Sequence, residues 1–105
     1  MLIMDTQVYY LGCPGGHTWA DDNCSHVLLT QVDAYAEDAQ FYYWEDGQPL
    51  TTCHPSAAFK DGVKTSLECA SGRKLQIDAS DYPESLQVDG VTMPSYEWQL
   101  PCGKP

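Results

Sequence analysis

The chain has 105 residues, 43% of them hydrophobic and 11% aromatic, and a formal charge of −10. A chain of this length supports one core, because it buries roughly 60–70% of the surface exposed when unfolded, so residues 1–105 are read as a single domain. The negative excess argues against direct contact with nucleic acid or an anionic membrane, and no run approaches the ~20 apolar residues that span a bilayer.

Leu2, Ile3 and Met4 form a short apolar run without the basic flank or the length of a secretion signal. The chain therefore reads as intracellular, in the cytoplasm of a host cell, or as already processed. Thr6–Leu11 is rich in the β-branched and aromatic residues that favour a strand. The next stretch, CPGGHTWADDNCSH, spans residues 13–26 and holds two cysteines and two histidines. Cys13, His17, Cys24 and His26 could supply the two thiolates and two imidazoles of a tetrahedral zinc site, although the spacing is not that of a zinc finger. In the competing reading, Cys13–Cys24 and Cys53–Cys69 are local disulfides, each worth about 3 kcal/mol in the chain-entropy estimate for loops of this size. Free thiols are the third possibility. Five cysteines, at 13, 24, 53, 69 and 102, leave one over in any paired scheme.

Residues 27–43 support two readings. Leu28, Val32, Tyr35, Ala36, Ala39, Tyr42 and Tyr43 recur at three- and four-residue spacing, as on one face of a helix capped by Ser25. Against this, VLLTQV and FYYW are rich in the β-branched and aromatic residues that favour strands. Beyond them the punctuation is turn chemistry. Asp46-Gly47, Asp61-Gly62 and Asp89-Gly90 suit the positive φ angles of tight hairpins, and Ser71-Gly72 separates two further strand-like runs. Gln40–Glu45 leads through Asp46-Gly47 into Pro49–Cys53, Leu86–Val88 and Val91–Met93 flank Asp89-Gly90, and Tyr96–Leu100 closes the series. The predicted fold is mainly β, a small antiparallel sandwich or barrel built from hairpins. The alternative is α+β with one helix near residues 27–43.

Charge is unevenly spread. Residues 1–59 carry eight carboxylates and neither Lys nor Arg, whereas residues 60–105 carry seven carboxylates and five bases. A one-signed field of this kind accelerates encounter with a basic partner, and it also keeps a small protein soluble. Aromatic residues interleave with the acids, most densely in Tyr42-Tyr43-Trp44-Glu45-Asp46. Tyr and Trp dominate interface hot spots, although alternate rings of a strand also build a core. Candidate partner-binding residues are Asp21, Asp22, Glu37, Asp38, Tyr42, Trp44, Glu45 and Asp46.

Catalytic signatures are lacking. The sequence has no metalloprotease helix motif, nucleophile elbow, phosphate-binding loop or dinucleotide fingerprint, and the neighbours Cys53 and His54 would face opposite sides of a strand. The leading expectation is a non-enzymatic acidic protein that blocks a basic protein surface, such as one that binds nucleic acid, as phage anti-defence inhibitors and immunity proteins do. A secreted, disulfide-stapled β module such as a lectin or effector is the alternative, and a zinc-held structural module is the third.

Overall fold

In KTSLEC, residues 64–69, every second side chain is buried, and KLQIDASD continues the same rhythm through Leu75, Ile77 and Ala79. Alternation of this kind gives a strand one wet face and one apolar face, and the apolar faces must find one another. The computed structural model, which describes residues 17–30 and 39–96, satisfies them with a closed antiparallel barrel. Its strands are β1 (His17–Ala20), β2 (His26–Thr30), β3 (Phe41–Glu45), β4 (Thr51–Pro55), β5 (Lys64–Cys69), β6 (Lys74–Asp81), β7 (Ser85–Val88) and β8 (Val91–Tyr96). Each strand pairs with the next in sequence. The seam is made by β1 against β8, through Thr18 opposite Tyr96 and Trp19 opposite Ser95.

Side chains fill the lumen. Trp19, Leu28, Phe41, Leu67, Leu75, Ile77, Leu86 and Met93 are each no more than 1% exposed. Full burial of side chains of this size is worth about 1.5–3 kcal/mol apiece. Eight strands enclose a space that such side chains can fill. One end is stoppered by rings from two loops: Phe59 lies 4.5 Å from the Phe41 ring centroid and 5.8 Å from that of Tyr82. Trp19 joins this cluster, 6.0 Å from Tyr82, and its indole N–H donates to the Pro83 carbonyl at 2.9 Å.

The Asp-Gly reading holds most directly at Asp89-Gly90. Their φ angles of 52° and 85° are the paired positive values of a two-residue hairpin turn, here joining Val88 to Val91. The Asp46-Gly47 turn joins β3 to β4, and Ser71-Gly72 lies between β5 and β6. The helix alternative is overturned where the structure describes it, because Val27–Thr30 belongs to β2 and Phe41–Tyr43 to β3. The physical reason lies in β2. Val27, Leu28, Leu29 and Thr30 are all buried, so this strand is covered on both faces and shows no alternation. The strand expected at Thr6–Leu11 and residues 97–100 of the last one lie outside the described residues.

Candidate functional site

Four turns gather at the end of the barrel opposite the aromatic stopper: β1–β2, β3–β4, β5–β6 and β7–β8. The first is organised by one carboxylate. Asp21 accepts from the Ser25 N–H at 2.8 Å, the His26 N–H at 2.9 Å and the Ser25 hydroxyl at 2.7 Å, and its Oδ2 stands 3.3 Å from His26 Nδ1. Burial pushes the Asp21 carboxyl upward. The hydrogen bonds from Ser25 and His26 together outweigh that effect and hold it below its ordinary value. Asp21 is therefore a turn-capping group, 8% exposed, and not a surface charge offered to a partner.

Across the mouth, three turns are tied through Arg73, the sole arginine of the chain. Its Nε and Nη2 donate to the two oxygens of Glu45 at 2.9 and 3.2 Å, and Nη2 also lies 3.2 Å from Asp89 Oδ2. The Tyr43 hydroxyl donates to Glu45 Oε1 at 3.0 Å. Arg73 accordingly draws the Glu45 carboxyl down against a smaller opposing effect of burial. Burial first, and the neighbouring carboxylate second, raise the Tyr43 phenol well above its usual value. Asp89 is itself fixed, since its Oδ1 accepts from the Gln76 N–H at 2.8 Å. Between the β3–β4 and β5–β6 turns lies a cleft of about 420 Å³ lined by Tyr43, Glu45, Gln48, Pro49, Thr51, Ser71, Gly72 and Arg73.

The sequence-predicted partner residues divide into groups. Asp22 and Asp46 are exposed, on neighbouring turns that are latched where the Asp46 N–H donates to the Ser25 carbonyl at 2.8 Å. Tyr42 and Trp44 are half-buried on the outer side of β3, opposite Leu29 and Val27 of β2. Asp21 and Glu45 are engaged within the molecule as described, and Glu37 and Asp38 lie outside the described residues. Sequence reasoning missed Arg73, Asp89 and Tyr43. A lone arginine placed directly after a Ser-Gly turn in an acidic chain was the available signal.

Cys53 and Cys69 face each other across β4 and β5 and form a disulfide on the inner side of the barrel. Cys24 is also disulfide-bonded, to a cysteine outside the described residues. This corrects the zinc reading of Cys13, His17, Cys24 and His26, because a sulfur committed to a disulfide is not a thiolate ligand. His17 meanwhile stacks on Trp19 with ring centroids 5.6 Å apart, and His26 faces Asp21. Cys13 lies outside the described residues. His54 is exposed while Cys53 is buried, as alternation along β4 requires. No protein-family model, curated protein or solved structure matches the chain.

Proposed function

We propose that the protein is a non-enzymatic, disulfide-stapled β-barrel module that docks on a basic protein surface through its acidic end. The supporting observation is the pair of latched turns at residues 21–25 and 46–50. They present the exposed carboxylates of Asp22 and Asp46 together, and neither turn contains a Lys or Arg. Elsewhere on the barrel, acids stand opposite bases in the strand register, Glu68 against Lys74 and Asp78 against Lys64. Exposed carboxylates also stand at the other end, Asp61, Asp81 and Glu84, but there Lys60 adjoins Asp61. The latched corner carries its two carboxylates without a Lys or Arg and beside the half-buried Trp44. Complementary charge of this kind governs association rate and partner choice more than it governs raw affinity.

The staples bear on the compartment. Disulfides persist in oxidising surroundings, so the Cys53–Cys69 bond and the bonded Cys24 favour the secreted-module reading over a reducing cytosol. The two readings are compatible, since a secreted module can carry an acidic docking corner.

The test is to identify a partner by affinity capture and then measure its binding to the parent and to Asp22→Asn/Asp46→Asn. Both positions are exposed, so the fold should tolerate the change within about 0.5 kcal/mol per site. The reading expects weaker, slower association for the variant, and for the parent a steep loss between low and physiological ionic strength. Equal binding of parent and variant at physiological salt would reduce the acidic corner to a solubility device.

A further inference from the structure

The cleft in the barrel mouth adjoins the acidic corner through Gln48 and Pro49 of the β3–β4 turn, but neither Asp22 nor Asp46 lines it. Its volume of about 420 Å³ falls within the usual range for small-molecule sites, which mouths of β-barrels commonly provide. We propose that this mouth binds a neutral, polyhydroxylated small molecule, in chemical class a short saccharide.

Charge sets the class first. One guanidinium faces two carboxylates, Glu45 and Asp89, so the local balance is negative and a phosphate, sulfate or carboxylate ligand is disfavoured. A cationic ligand would meet Arg73 itself. An apolar ligand would strand the carboxylate, the guanidinium, the Gln48 amide and the Ser71 hydroxyl without water. Sugar hydroxyls fit this chemistry because each both donates and accepts. The mouth offers donors in Arg73, acceptors in Glu45, and both kinds in Gln48 and Ser71. Hydrogen bonds to ionised partners are the stronger sort, and a neutral ligand receives them without desolvating a charge of its own. Pro49 adds an apolar surface suited to the C–H face of a sugar ring.

The polar groups are also held in place before any ligand arrives. Glu45 is fixed by Tyr43 and Arg73, and Arg73 by Glu45 and Asp89. Rotamer freedom already surrendered in the folded state is not lost again on binding, which is the general basis of preorganised affinity.

The experiment uses the oxidised, ¹⁵N-labelled full chain. It is titrated separately with the methyl glycosides of glucose, galactose, mannose and N-acetylglucosamine, and with inorganic phosphate, while amide shifts are followed. The expected result is a saturable shift confined to Gln48, Ser71, Gly72 and Arg73 with at least one glycoside, none with phosphate, and little response to salt. Gln48→Trp, at an exposed turn position, should fill the cleft and abolish the response while leaving the melting temperature near that of the parent. Arg73→Lys should weaken binding at least about tenfold, the effect of losing one hydrogen bond to a charged group. Asp22→Asn/Asp46→Asn should bind the glycoside like the parent, which separates this site from the docking corner. The proposal is overturned if no glycoside saturates, if phosphate saturates in their place, or if a folded Gln48→Trp binds the glycoside unchanged.

Discussion

Replacing Asp21 by alanine removes the shared acceptor of two backbone N–H groups, those of Ser25 and His26, and of the Ser25 hydroxyl. Hydrogen bonds to a charged group contribute roughly 1.5–3 kcal/mol each, but this turn lies near the surface and the freed N–H groups regain some water, so the expected total is about 2–3 kcal/mol. At roughly 4–8 °C per kcal/mol, the melting temperature should fall by about 8–24 °C. Asp21→Asn keeps an accepting carbonyl oxygen and loses the charge, so it should cost about half as much. The pH dependence gives an internal control. The folded-state carboxyl sits below its ordinary value, so the native state takes up its proton less readily than the unfolded chain. Its stabilisation is complete above the unfolded-state pKa of about 3.9 and is lost as pH falls through the lower folded value. Urea unfolding followed by tryptophan fluorescence should therefore show a gap between parent and Asp21→Ala at pH 6 that narrows below about pH 4. Glu45 is shifted in the same direction, but it is present in both proteins and cancels from the difference. A cost under about 0.5 kcal/mol, ordinary for a surface substitution, or a gap that persists unchanged in acid would refute the assignment of Asp21 as the organiser of this turn.

Replacing Cys53 and Cys69 together by alanine opens a loop of sequence separation 16. Chain entropy puts the loss at about 3 kcal/mol, measurable as a melting temperature lowered by roughly 12–24 °C, and a shift under 4 °C would count against a staple. Phe59→Ala should cost about 3–5 kcal/mol by unstoppering the aromatic end, although Phe59 lies in a loop. Calorimetry showing the small loss typical of loop positions would mean that the stopper is not part of the core.

Local chemistry was the most readable part of the sequence. Asp89-Gly90 prescribed its own turn, and KTSLEC and KLQIDA displayed their inner faces by alternation, because both features depend on neighbours along the chain. Residues 27–43 left strand and helix both open for the opposite reason. With both faces of β2 buried, VLLT loses the period of two that marks a half-exposed strand. HTWA was read as part of a cysteine–histidine loop, whereas it is β1. Its strand character comes from pairing with β2 and from the seam with β8, and the latter joins Trp19 to Ser95 across most of the chain. The mouth was equally hidden. Glu45 and Arg73 are 28 positions apart, and it is the pairing of β3 with β4 and of β4 with β5 that makes their turns neighbours.

The seam between β1 and β8 also sets where the chain is held. With the strands running strictly up and down, His17 begins the first and Tyr96 ends the last at the same rim, the one opposite the four turns of the mouth. The polypeptide thus enters and leaves the barrel side by side. The disulfide at Cys24, in the β1–β2 turn, ties a cysteine from outside the described residues to the mouth end, so the chain is held at the mouth as well as at this rim.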